Sequence, residues 1–233
     1  MPMPPYLGNP ELITAACMLV SYLVCGIPFG EIIARVFGHV DLQKVGSGNI
    51  GTTNALRAAG PKVALATLLC DVLKGTLCVM ASRTVIATAG LGFPPSSLEP
   101  GTACDYLVAL VALACVLGHM FTPYLRFHGG KSIAVGVGVL FGIAWPLALI
   151  HLGIFIVLVA VTRYVSVGSI ATAGLVCVTV ALYFPQASPA FKLILAAMGF
   201  LVVWAHRGNI RKLMRGSESR LSFTKRVTER DPE

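Results

Sequence analysis

Apolar residues recur in long blocks separated by short, glycine-rich polar stretches. The first block runs over residues 11–37 and is interrupted at Gly26-Ile27-Pro28-Phe29-Gly30. A proline lacking an N–H and flanked by glycines predicts a kink there. The second block covers 61–89 and opens on Pro61, which suits a first helical turn. A Pro/Ser/Gly-rich loop from Gly90 to Gly101 leads to a third block at 104–122 and a fourth at 133–161. The fourth is too long for one ordinary span, and Trp145-Pro146 divides it into a short helix and a longer one. Blocks at 167–184 and 190–205, with a turn from Pro185 to Pro189 between them, complete the set. At about 20 residues per crossing, the pattern predicts an all-α integral membrane protein with about seven transmembrane helices and no soluble domain.

Composition agrees: 56% of residues are hydrophobic, 12% are charged and mean hydropathy is +0.80, far from a soluble domain. The first ten residues carry no Lys or Arg, so a cleavable signal peptide is not expected. The net charge of +8 raises the question of nucleic acid, but eight of the basic residues lie between Arg207 and Arg230 and most others flank apolar blocks. That distribution is topological. With the C-terminus inside, the inner segments hold Arg35, Lys44, Arg57, Lys62, Arg126, Lys131, Arg163 and the basic tail, whereas the outer ones hold Arg83 with Glu99 and Asp105, then Lys192. An N-terminus outside and a cytoplasmic C-terminus follow. The tail is expected to meet anionic headgroups, with no nucleic-acid partner.

The polar stretches then fall on one face. Gly46 to Gly60 reads GSGNIGTTNALRAAG: four glycines, two asparagines, hydroxyls and Arg57, with no surface to pack a core. Glycines let backbone approach a ligand, and N–H groups opening a helix suit phosphate. Gly46, Gly48 and Gly51 also spell G-x-G-x-x-G with Asp71 about 20 residues on, but no strand precedes them, so a dinucleotide fold is not expected. A second cluster, GHMFTPYLRFHGGKS, contains Gly129, Gly130 and Lys131, and a third pairs His206 with Asn209. Donors and cations dominate, which selects an anion with several oxygens, phosphate before carboxylate.

Within the second block Asp71 and Lys74 lie three residues apart on one helical face. An ion inside a span costs about 2.5–3.5 kcal/mol, so the pair must face protein or water, as a salt bridge between helices or as part of a site. The seven cysteines include no C-x-x-C pair and read as small buried hydrophobes. The five histidines begin neither H-x-x-x-x-D nor H-E-x-x-H, so no metal is expected. His119 reads as a hydrogen-bonding loop residue and His151 as a packing residue.

The motifs resemble those of the bacterial acyl-phosphate:glycerol-3-phosphate acyltransferases, the PlsY type. VGSGNIGTTN with Arg57 is similar to the family's first motif, GHMF…FHGGKS to its second and WAHRGNI…GSE to its third, while IPFGEIIA, DVLKG and RYVSVGSI resemble segments between them. The resemblance spans roughly residues 20–218. It implies a single seven-helix membrane acyltransferase domain over 1–210, followed by a basic cytoplasmic tail over 211–233. It also implies a multi-pass enzyme of the bacterial inner membrane, active as a monomer at the cytoplasmic face without cofactor. Such an enzyme transfers an acyl group from acyl phosphate to the 1-hydroxyl of glycerol 3-phosphate, giving lysophosphatidate and phosphate in the first step of phospholipid synthesis. Ser132 stands where the family commonly has glycine, Val135 where threonine is common, and Thr52 where alanine is usual. These departures bear on donor affinity.

Acyl phosphate is an activated anhydride, so no acyl-enzyme is required; the site must gather two anions and stabilise an oxyanion. The residues expected to carry the chemistry are Ser47, Arg57, Lys131 and His206, with Asn49, Thr53, Asn54, Gly129, Gly130, Ser166 and Asn209 binding substrate. Of these, Arg57, Lys131, His206 and Asn209 are assigned to glycerol phosphate, assisted by Ser166. Ser47, Asn49, Thr53, Gly129 and Gly130 are assigned to the acyl-phosphate head. The proton acceptor is either His206 or the donor's own phosphate, the second being favoured. An anion transporter is the main alternative, although the clusters sit at one membrane face rather than the midplane and no internal repeat is evident.

Overall fold

The computed structural model describes residues 8–222. Among them the backbone is helical and contains no strand, which removes the dinucleotide reading of the glycine motif. Helix α1 (Pro10–Gly26) begins where Asn9 accepts hydrogen bonds from the N–H groups of Glu11 and Leu12 at 2.9 and 3.1 Å. The expected kink is a full break at Ile27 and Pro28, after which α2 (Phe29–Gly38) resumes and ends on left-handed His39. A short α3 (Thr52–Ala59) precedes α4 (Pro61–Val85), which loosens into a wide turn over Ile86–Leu91. Then come α5 (Asp105–Met120), α6 (Ile133–Ile143), α7 (Trp145–Thr162), α8 (Val165–Tyr183), α9 (Pro189–Ala205) and α10 (Arg207–Met214).

Five segments are long and apolar enough to cross a membrane: Pro10–Gly38, Pro61–Leu91, Asp105–Leu125, Trp145–Thr162 and Val165–Tyr183. The pair α9 and α10, bent by 52°, makes a sixth if counted as one. Against the seven expected, α6 is the element that falls short. Its 11 residues reach about 16 Å at 1.5 Å per residue, roughly half of a 30 Å hydrocarbon core. The division of the fourth block falls at Ala144, whose extended backbone (φ −156°) separates α6 from α7.

Small residues let the helices approach closely. A side chain at Gly138 would run into the Val72 carbonyl, and one at Gly75 would come within 2.7 Å of the Val135 carbonyl, so α4 and α6 touch backbone to backbone. Thr76 donates to the Gly138 carbonyl at 2.9 Å across the same contact. Gly118 of α5 lies against the Tyr22 carbonyl of α1, and the Tyr22 hydroxyl donates to the Phe121 carbonyl at 2.5 Å. Val111, Val116, Val135, Val139, Phe191 and Leu195 fill the centre, while Leu19, Leu65, Leu77, Leu182 and Phe200 point outward, as a lipid-facing surface requires.

At the end opposite the glycine motifs, Asp105 is fully buried and accepts from the Gly101 and Ser188 N–H groups, both at 2.9 Å, and from the Ser188 hydroxyl at 2.5 Å. Arg83 pairs with Glu99 at 3.0 Å beside it. Residues 223–233, which include the end of the expected basic tail, lie outside the described residues.

Candidate functional site

The first motif is a loop held from beneath. Buried Glu31 accepts from Arg35 at 2.5 Å and from the Leu42 N–H at 3.0 Å, and Arg35 reaches Asp41 at 3.0 Å. Asn54, also buried, accepts from the Ser47 N–H at 3.1 Å and donates to the carbonyls of Leu42 and Val45, both at 3.0 Å. All its polar atoms are therefore committed to shaping the loop. Gly46 and Gly48 have φ of 58° and 67°, and a side chain at Gly46 would collide with the Asn54 carboxamide. Asn49 accepts from the Gly51 N–H at 2.9 Å. No side chain caps the start of α3, whose opening N–H groups follow this loop. Ser47 is exposed and Thr53 half-buried on the same turn.

The second motif folds back on α5. The Gly129 and Gly130 N–H groups donate to the Met120 and His119 carbonyls at 3.0 Å. Any side chain at either glycine would strike the His119 carbonyl or its ring. Beneath them, Lys74 joins Asp71 at 2.7 Å, the Ile27 carbonyl at 3.0 Å and His119 Nδ1 at 3.1 Å. An ammonium only donates, so His119 Nδ1 accepts and its Nε2 carries the proton. His119 is thus a buried support that ties α4 to the glycine turn, more than a loop residue. Ser132, at φ 59°, turns its hydroxyl onto the Val116 carbonyl at 2.9 Å, away from Lys131. The hydroxyl of Thr52 is buried without a partner.

The third motif completes the cluster. Lys131 donates to the Asn209 carboxamide oxygen, and Asn209 donates to Glu218 at 2.8 Å. Arg57 donates to the Ser219 carbonyl at 3.2 Å, and the Leu221 N–H to the Arg163 carbonyl at 2.7 Å, so residues 217–222 lie across this group. Burial pushes the Lys131 ammonium down to about 8, with Arg57 and Lys212 adding repulsion and Glu218 opposing. His206, at the bend between α9 and α10, is buried. Its Nδ1 lies 2.8 Å from the Val202 carbonyl, so the neutral ring donates there and leaves Nε2 as an acceptor. The hydroxyl of buried Ser166 has no partner.

Arg57, Lys131, His206 and Asn209 thus come together from four elements. Among the described residues no hydrogen bond joins the side chains of Ser47, Asn49 or Thr53 to them; these three reach the cluster only through α3, which also carries Arg57. Sequence reasoning missed Glu218, the acid inside the cluster, whose signal was the GSE ending of the third motif. From this end a narrow apolar crevice of about 40 Å³ runs between α6, α7, α8 and α9, lined by Ser132, Leu140, Phe155, Val176, Met198 and Val202.

The sequence model of the family described as "Glycerol-3-phosphate acyltransferase" matches residues 15–216. A protein of that name from Rhodopseudomonas palustris (strain BisB5) is 37% identical over 210 residues, covering 90% of this chain and 97% of the relative. One from Synechococcus elongatus is 38% identical, covering 90% and 95%. Among solved structures, PlsY (YgiH), an integral membrane glycerol 3-phosphate acyltransferase in its glycerol 3-phosphate form, superposes with a TM-score of 0.75 at 30% identity, covering 90% of this chain and 96% of that one. Its lysophosphatidic acid form gives 0.74 at 27% identity, covering 91% and 97%.

Proposed function

The chain belongs to the glycerol-3-phosphate acyltransferase family, and from that premise we propose how its own residues acylate glycerol 3-phosphate and from which donor. The donor is an acyl phosphate, the product is lysophosphatidate, and the site lies at the cytoplasmic face of a bacterial inner membrane. The single observation that carries this reading is the Lys131–Asn209 hydrogen bond, with Asn209 holding Glu218, Arg57 tied to the adjacent Ser219 carbonyl and His206 buried at the start of α10. This donor-rich cluster suits a phosphate dianion.

In this reading Arg57 and Lys131 hold the phosphate of glycerol 3-phosphate, with Asn209 and Ser166 as further donors. Neutral His206 presents Nε2 to a glycerol hydroxyl and orients it, rather than contacting phosphate. The proton released on attack passes to the donor's phosphate. The Gly46–Gly51 loop and the uncapped start of α3 bind the acyl-phosphate head, with Ser47, Asn49 and Thr53 at its edge, while the Gly129–Gly130 turn, its N–H groups spent on Met120 and His119, forms a close backbone wall beside it. Asn54 acts by holding that loop. The carbonyl of the mixed anhydride is attacked by the hydroxyl; the oxyanion that develops faces the same donors, and phosphate leaves without an acyl-enzyme. The acyl chain lies along the apolar helix surfaces beside Ser132 and Val202, open to the bilayer.

In this reading short α6 is the seventh crossing beside five long segments and the bent α9–α10 pair, and the basic inner segments put the N-terminus outside and the C-terminus in the cytoplasm. The membrane domain extends through the segment that Ser219 and Leu221 fasten to the site. Purified monomer given glycerol 3-phosphate and palmitoyl phosphate in detergent should release phosphate and form lysophosphatidate. Absence of both products, with acyl transfer from another donor instead, would overturn the assignment of acyl phosphate.

A further inference from the structure

Three cysteines that are remote in the chain meet inside the bundle. Cys25 lies at the end of α1, Cys78 in α4 and Cys115 in α5, and their sulfurs all lie within 4.8 Å of one another. Cys25 and Cys115 are fully buried, whereas Cys78 is half-buried. They form one layer of a polar column at the junction of these helices. Lys74, one turn before Cys78, joins the Ile27 carbonyl just beyond Cys25 and His119 one turn beyond Cys115. One turn to the other side, the hydroxyls of Ser21 and Ser82 meet at 3.3 Å.

Burial of a single cysteine needs no explanation beyond packing. Three sulfurs from three helices directed at one point, with charged and hydroxyl groups above and below, present a ligand set. We propose that Cys25, Cys78 and Cys115 form a binding site for one soft, thiophilic cation that accepts three sulfur ligands, with Cu(I) as its biological representative. Thiolates select Cu(I), zinc and iron–sulfur clusters. Structural zinc takes four protein ligands and iron–sulfur clusters take four cysteines, whereas among the described residues no His, Asp or Glu joins this group. A metal–sulfur bond of about 2.3 Å sets trigonal sulfurs about 4 Å apart, which the observed spacing accommodates.

Each thiol that ligates gives its proton to water, so binding tightens as pH rises. The negative charge left on sulfur faces the Lys74 ammonium, which it shares with Asp71 at 2.7 Å, and the ion enters past Cys78, whose side chain is not fully enclosed. Occupancy would clamp α1, α4 and α5 beneath His119 and the Gly129–Gly130 turn, which raises thermal stability as any ligand specific to the folded state does.

The test uses full-length protein in detergent under anaerobic conditions, titrated with Cu(I) in competition with a chromophoric Cu(I) chelator. One Cu(I) per chain is expected, with thiolate-to-copper charge-transfer absorption, three sulfur neighbours by X-ray absorption and a raised Tm. Zn(II) added in the same way is expected not to displace it. Cys25→Ser, Cys78→Ser and Cys115→Ser should each weaken binding by about a hundredfold, whereas Cys70→Ser and Cys177→Ser should leave it intact. Acyltransferase activity in each variant verifies its fold. Failure to hold Cu(I) against the chelator, unchanged binding in folded Cys78→Ser protein, or loss of binding in Cys177→Ser protein would overturn the proposal.

Discussion

The two ends of the helix bundle use similar polar residues to opposite effect. At the Asp105 end a buried carboxylate takes three hydrogen bonds from Gly101 and Ser188, and Arg83 is matched by Glu99. The groups satisfy one another and fasten loops. At the Lys131 end a buried, desolvated lysine lies near Arg57 and Lys212 with Glu218 as the opposing acid. Cations gathered in a buried site repel one another unless an anion joins them, so the first end is built to stay closed and the second to be completed by an anion.

Substitutions can break that contrast. The largest effect is expected at the second end: Lys131→Met or Arg57→Ala should lower kcat/KM by about a hundred- to a thousandfold, while Arg83→Ala changes it less than about twofold, in line with the small worth of a partly exposed pair. Steady-state kinetics in detergent would measure both. If Arg57→Ala raised KM for acyl phosphate alone, its assignment to glycerol phosphate would be wrong. At the first end the loss is structural. Asp105→Ala should cost about 2–3 kcal/mol by stranding buried donors, seen as a lower Tm, with turnover per folded molecule unchanged.

A finer distinction comes from pH. Lys131 is charged below about 8 and neutral above it, so KM for glycerol 3-phosphate should rise about tenfold between pH 7 and 9 as the phosphate loses its counter-charge. Lys131→Arg, which stays protonated, should abolish that rise, and Glu218→Gln, removing the charge that supports the ammonium, should move it to lower pH. The smallest effect is expected for Ser132→Gly, where relief of a positive φ worth about 1 kcal/mol offsets a lost hydrogen bond of about 1 kcal/mol. Tm and KM should both stay near their original values.

Much of this was legible in the sequence because it is local. The breaks at Pro28 and Trp145, the start of α4 at Pro61 and the glycine-rich loops follow from backbone chemistry near each residue. The number of crossings was less legible: Trp145-Pro146 marked α6 as short, but residue pattern alone does not decide whether 11 residues make a crossing. At the site, residue type marked Arg57, Lys131, His206 and Asn209, but not the direction of each hydrogen bond. Asn54 looked like a substrate ligand and instead spends its amide on the loop. His206 was assigned to the phosphate, and the structure shows its Nδ1 already engaged by the Val202 carbonyl. The meeting of Cys25, Cys78 and Cys115 had no signal in spacing, because three helices are needed to make it.

The central claim, that segments remote in the chain build one phosphate pocket at the Lys131 end, is tested most directly by equilibrium binding of radiolabelled glycerol 3-phosphate to wild-type, Lys131→Met, Arg57→Ala and doubly substituted protein of verified fold. The account predicts at least a tenfold loss from each single change and a less than additive loss from the pair, as expected of residues sharing one ligand. Binding at wild-type affinity in either single variant would contradict it.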